Sequence, residues 1–256
     1  VRDLYWRQPF LRSRPLQITV RLFAVLRDAA GAECLIESFE GDSITVEEIR
    51  ARLSERAGLG PHIARVAVAV NEEYVTDPQT RLREGDTVAL IPPISGGADT
   101  PFNVDPAEGS TPLFLVTSGI LEPGALRNAV MTPASGACVV FEGVVRDHHE
   151  GRAVERLEYE AYEEMALRQM EDVAAEVAEE YRDREVYAIG IHHRVGGLVV
   201  GETSLLVAVS AAHRRDAFEA ALRAVDRVKE TVPVWKKEWG PDGSHWQEGV
   251  VPTPRS

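Results

Sequence analysis

The chain has 256 residues, 44% of them apolar and 27% charged, with a formal net charge of −13. That length suits two domains that each bury a core. An acidic balance of this size opposes general binding to nucleic acid or anionic membranes, and no apolar run reaches membrane-spanning length.

Residues 1–15 lack periodicity and are expected to form a poorly ordered leader. Residues 17–24, QITVRLFA, alternate as a strand; a turn at RDAAGAE and a second strand around CLIESF follow. Thr45 is placed to cap a helix over VEEIRARLSERAG, with Ile49, Leu53 and Ala57 on one stripe. RVAVAVNEEYV predicts a strand entering a turn at Asn71-Glu72, REGD a further turn, and TVALIPPI a last strand. The order β-β-α-β-β implies a helix across a small mixed sheet. Residues 98–112, ADTPFNVDPAEGSTP, have linker composition, so the domain boundary is placed there.

In the second half, LFLVTS, ACVVFEGVV and VERLEYEAY predict strands. A helix over about 162–182 carries an apolar stripe of Ala166, Met170, Val173, Ala174, Val177 and Tyr181. VYAIGIHHRV and TSLLVAVSAA predict two strands joined by a turn at Gly196-Gly197. A second helix over about 215–229 is expected to turn Phe218, Ala221, Leu222, Val225 and Val228 inward, and Pro233 ends it. Helices fall between strand pairs, which makes the class α+β. Cys34 and Cys138, one per half with no C-x-x-C, are expected as buried free thiols of a reducing cytoplasm.

Lysine usage is the strongest chemical signal. The only lysines, Lys229, Lys236 and Lys237, lie within nine residues, while every other basic side chain apart from histidine is arginine. Lysine can lose its proton, act as a nucleophile or present a compact charge, whereas arginine stays protonated. Arg146 follows a strand end in FEGVVRDHHEG, and His213-Arg214 stand where a strand passes into a helix, a junction suited to an anion. Convergence of these junctions with the lysines would make a basic pocket on an acidic protein. The pairs His148-His149 and His192-His193 face opposite ways on strands and complete no ligand set, so no metal site is expected. Gly96-Gly97 ends the first half; a linker and a threading tail are both open to such a pair.

The second half resembles the large, catalytic subunit of molybdopterin synthase. FEGVVRDHHEG, LEYEAYEEMA, IHHRVGGLVVGE, SAAHRRDAFEA, VKETVPVWKKE and WGPDGSHWQEG carry the likeness, in that order, over about 113–249. The first half resembles the small, ubiquitin-like sulfur-carrier subunit through LFAVLRDAAG, VAVNEEYV and EGDTVALIPPISGG. The resemblance implies a β-grasp (ubiquitin-like) domain at 16–97 fused by the linker to an α+β domain of the α/β-hammerhead type at 113–250, with a tail at 251–256. It implies sulfur transfer from a thiocarboxylate on Gly97 to cyclic pyranopterin monophosphate, forming the dithiolene of molybdopterin in the cytoplasm. Lys229 and Lys236 would be catalytic, Arg146, His213 and Arg214 would hold the substrate, and Lys237 and Glu238 would line the same site. Partners implied are an adenylating activating enzyme, a sulfur donor and a second copy through the large-subunit domain; no cofactor is implied. The rival reading is a non-catalytic sulfur carrier fused to an anion-binding domain. Ala98 follows Gly97, so a thiocarboxylate requires cleavage or a product ending there.

Overall fold

A computed structural model of the chain describes residues 15–56, 58–94, 111–247, 249 and 251–252. The leader through residue 14, the Gly96-Gly97 pair, residues 98–110 and the end from 253 lie outside the described residues. No helix among the described residues is long and apolar enough to cross a membrane.

The N-terminal half runs β1 (Leu16–Leu22), α1 (Ala24–Ala30), β2 (Cys34–Phe39), β3 (Ile44–Thr45), α2 (Val46–Ser54), α3 (Gly60–Ile63), β4 (Ala67–Val70), β5 (Glu73–Val75), β6 (Arg81–Leu82) and β7 (Thr87–Ile91). Five strands form a sheet in the order β2-β1-β7-β4-β5, with β1 and β7 parallel. Period-two alternation sends Leu16, Ile18, Val20 and Leu22 inward against Ile49 and Leu53 of α2. The N-terminus of α2 is a capping box. The Thr45 carboxylate partner, Glu48, accepts from the Thr45 backbone N–H at 2.6 Å, and the Glu48 N–H donates to Thr45 Oγ1 at 3.2 Å. Asn71 and Glu72 turn the β4-β5 hairpin at φ of 50° and 69°, both left-handed, as a primed turn requires.

The C-terminal half runs β8 (Phe114–Thr117), α4 (Pro123–Val130), β9 (Ala137–Val144), β10 (His148–His149), β11 (Arg152–Ala153), β12 (Arg156–Ala161), α5 (Glu163–Glu180), β13 (Val186–Arg194), β14 (Gly196–Val199), β15 (Thr203–Ala211), α6 (Arg214–Thr231), β16 (Val234–Gly240) and β17 (Gly243–Trp246). Two four-stranded sheets, β8-β13-β15-β9 and β14-β12-β16-β17, share one core with the inner faces of α5 and α6.

Several sequence expectations are corrected. The segment read as a turn after β1 is α1, closed by Gly31 at φ 64°; seven residues are too few to display helical periodicity. α4 escaped notice for the same reason. Gly196–Val199 is strand rather than turn, paired with β12. Phe218 and Leu222 are each 64% exposed; Ala221, Val225 and Val228 are buried as expected, together with Ala217, Ala220 and Ala224. The alanines let α6 lie close to the sheet, which rotates the larger side chains outward. Beyond Pro233 the chain forms the β16-β17 hairpin. Cys34 is exposed and Cys138 half-buried; both are free thiols.

The two halves meet over an aromatic seam. Phe23 stacks on Tyr162 and Trp235 at centroid distances of 5.0 and 5.1 Å. Trp235 Nε1 donates to the Pro92 carbonyl at 3.0 Å, and Tyr74 Oη to the Thr231 carbonyl at 3.0 Å. Ala24, at φ 47°, opens α1 without a side-chain cap from its own domain. Its N–H donates to Glu160 Oε1 at 2.9 Å. Arg27 approaches Glu160 Oε2 at 2.9 Å but off the hydrogen-bonding direction, so that buried oxygen has a charge partner and no hydrogen bond.

Burial raises the Glu160 carboxyl to about 7, against the opposing pull of the Ala24 N–H and Arg27 and with help from Asp28 and Glu33. The docked carboxyl therefore holds a proton more readily than a solvated one. Its contribution to docking is full below its ordinary value of 4.5 and is lost as pH rises through about 7. Protection of the Ala24 amide from hydrogen exchange is expected to fall between pH 6 and pH 8, once corrected for intrinsic rate. Glu160→Gln keeps the acceptor and should remove that dependence; an unchanged pH dependence in the variant would refute the assignment.

Candidate active site

A cavity of about 390 Å³ opens between the two sheets and the C-terminal end of α6. Lys229, in the last turn of α6, and Lys236, on β16, both line it. The proline break explains their convergence. Pro233 cannot extend the helix, so the chain reverses into β16 and returns a second lysine to the same mouth. Gly143 and Val144 supply one wall at the end of β9, and Tyr159, His193 and Ser204 supply polar groups. Ile94, the last described residue before Gly96-Gly97, reaches the cavity from the N-terminal domain.

Lys236 Nζ lies 3.0 Å from Glu238 Oε1, on the same face of β16 two residues on. The Glu238 side chain is 3% exposed and also meets His149 Nδ1 at 3.3 Å and His245 Nε2 at 3.6 Å. Burial alone would raise this carboxyl. The Lys236 hydrogen bond and charge, with His149 and Gln247, outweigh it and hold the group below the usual carboxylate range.

The strand alternation separates Lys237 from this cavity. Its Nζ pairs with Asp28 Oδ2 at 3.2 Å across the domain seam and lies 5.0 Å from the Trp246 ring. Trp246 Nε1 donates to the same Asp28 oxygen at 3.0 Å. Burial would raise Asp28, but these two partners and Arg27 hold it low. Lys237 thus clasps the N-terminal domain instead of lining the site expected for it.

Arg146 is exposed, two residues beyond the end of β9. His213 and Arg214 are exposed at the opposite end of α6. At about 1.5 Å of rise per residue, Arg214 and Lys229 lie about 22 Å apart along that helix. A single chain therefore brings Lys229, Lys236 and Glu238 together and does not bring His213-Arg214 to them. Gly96 and Gly97 lie outside the described residues. Sequence reasoning missed His149, Tyr159, His193, Ser204 and Gly249. Alternation on β13 puts the two histidines on opposite faces and both are buried, so the sequence held no signal that His193 and not His192 meets the cavity.

Fold and cavity together define an α+β domain with a two-lysine cavity, onto which a β-grasp domain docks its last strand. The profile of the MoaE protein family matches residues 116–231, and that of the ThiS family matches residues 20–97. The molybdopterin synthase catalytic subunit of Pyrococcus abyssi is 48% identical over 120 residues, which is 47% of this chain and 79% of that protein. Catalytic subunit 1 of Aedes aegypti is 44% identical over 131 residues, 50% of this chain and 83% of that protein. The crystal structure of molybdopterin synthase from Staphylococcus aureus superposes with a TM-score of 0.51 at 37% identity, covering 54% of this chain and 98% of that one. The chain belongs to the molybdopterin synthase catalytic subunit family, with a sulfur-carrier domain fused ahead of it.

Proposed function

We propose that this chain combines both parts of a molybdopterin synthase, passing sulfur from a Gly97 thiocarboxylate to cyclic pyranopterin monophosphate to build the dithiolene. The observation that carries the reading is Ile94, three residues short of Gly97, lining the same cavity as Lys229 and Lys236. Lys229 supplies a compact charge at the cavity, and Lys236 is positioned by Glu238. Such cations stabilise the oxyanion that forms when a thiocarboxylate carbonyl is attacked. A carrier fused to a merely anion-binding domain would need no lysines converging on its tail. An activating enzyme that adenylates Gly97 and a sulfur donor complete the cycle.

The proposed assembly is a homodimer. Exposed Phe218 and Leu222, one turn apart on α6, offer an apolar face for the second copy. His213 and Arg214, remote from their own lysines, would then join Arg146 in holding the substrate of the paired site. Conversion of the pterin by the chain supplied with a pre-formed carrier thiocarboxylate tests the function; no dithiolene under saturating substrates would refute it.

Gly249 bears on how the tail sits. A Cβ built there collides with the Ile94 carbonyl, so the backbones touch where only glycine fits. Gly249→Val is expected to displace Ile94 and lower turnover by about 100-fold, the penalty of a misplacement near 1 Å. Ile94 is 3% exposed within the seam core, so a lower melting temperature should accompany the loss. Full turnover in the variant would show that the tail is not seated by this contact.

A further inference from the structure

Among the described residues that line the cavity, His193 offers a ring nitrogen that the lysine chemistry does not use. His193 lies on β13, is 5% exposed, and lines the cavity. Its Nδ1 is 2.9 Å from the Arg194 carbonyl. A carbonyl oxygen only accepts, so Nδ1 carries the hydrogen, and Nε2 of the neutral ring is a bare lone pair. Burial holds this imidazole down at about 4, against the Arg194 bond, so the ring is neutral in the physiological range.

Nε2 makes no hydrogen bond among the described residues, and it is not sealed in protein either. Glu160 Oε2 is the one fully enclosed side-chain oxygen or nitrogen among them that lacks a hydrogen-bond partner. The free edge of the His193 ring therefore opens on the cavity. Tyr159 packs edgewise against the ring at 5.6 Å between centroids, which, with the Arg194 bond, fixes its plane. Water in the open cavity can satisfy this acceptor, but a ligand that displaces the water strands it unless the ligand brings a donor.

We propose that His193 is a specificity-determining residue whose Nε2 accepts a hydrogen bond from an N–H of the bound pterin. This rests on the synthase reading above. A heterocycle with N–H donors satisfies the acceptor, while an analogue presenting another acceptor leaves two lone pairs opposed. Sites built this way discriminate strongly, because the wrong ligand strands a buried polar group. The backbone N–H of the carrier tail is the other source of the same chemistry.

Nitrogen-15 NMR of histidine-labelled full-length chain separates these cases. The expected free protein shows His193 protonated at Nδ1 with Nε2 bonded to no protein donor, and the Nε2 resonance moves upfield when cyclic pyranopterin monophosphate is added. His193→Phe keeps the shape and removes the acceptor. It should raise KM for the pterin by roughly tenfold and leave kcat within about twofold. An Nε2 already hydrogen-bonded to a protein N–H before pterin is added would assign the acceptor to the tail and overturn the proposal. Calorimetry separates the two readings: pterin that binds without moving Nε2 overturns the His193 role alone, whereas pterin that does not bind overturns the synthase reading with it.

Discussion

Lys229→Ala is expected to lower sulfur transfer by about 10²–10³-fold, the cost of removing one preorganised charge from a reacting centre. Lys229 ends α6 with its side chain outside the apolar face and makes no ion pair among the described residues, so its loss should leave the fold intact. The helix C-terminus loses at most about 0.3–1 kcal/mol of favourable charge there. Lys229→Arg should fail nearly as completely, because the broad guanidinium cannot reproduce a compact ammonium or give up its proton. Lys236→Ala should behave differently in stability. It strips the nearest cation from Glu238, a carboxylate that is 3% exposed, and should cost about 1–3 kcal/mol besides activity. Denaturation curves beside single-turnover rates separate the two variants. Wild-type activity in Lys229→Arg would refute a specific ammonium role.

Blocking cleavage after Gly97 should abolish unaided turnover altogether. In the uncut chain the Gly97 carbonyl is an amide, and adenylation requires a free carboxylate. Ala98→Pro, chosen to resist a protease, should therefore give a folded protein without synthase activity. A separate carrier domain ending in a thiocarboxylated Gly-Gly should then restore conversion wherever it displaces the tethered tail. Restoration would place the defect in the tail's chemistry and leave the lysine cavity intact. Unaided turnover by the Ala98→Pro chain would mean that the fused form draws sulfur by another route.

Local signals were legible in the sequence, and tertiary ones were not. The Thr45 cap, the Asn71-Glu72 turn and the α5 stripe depend on residues within a few positions of each other. α1 and α4 are too short to show a period. Phe218 and Leu222 fit an apolar stripe as well as the alanines do, and only close packing of α6 on the sheet decides which side turns in. For the candidate site, both lysines that line the cavity belong to the cluster visible in the sequence, and their catalytic role is the proposal made above. The neighbour Lys237 was misplaced because its strand was unrecognised, and alternation on β16 sends it to Asp28. The tautomer of His193 rests on a carbonyl fixed by the fold, and the approach of Gly249 to Ile94 joins residues far apart in sequence. Neither has a local signature.

The most direct test of the whole account is the intact mass of the protein isolated from its native cell, read beside its ability to convert the pterin. The expected result is a fragment ending at Gly97, part of it heavier by the exchange of one oxygen for sulfur, accompanied by the lysine-bearing fragment and active with it. A preparation that converts the pterin while its mass shows only the uncut chain would contradict the account.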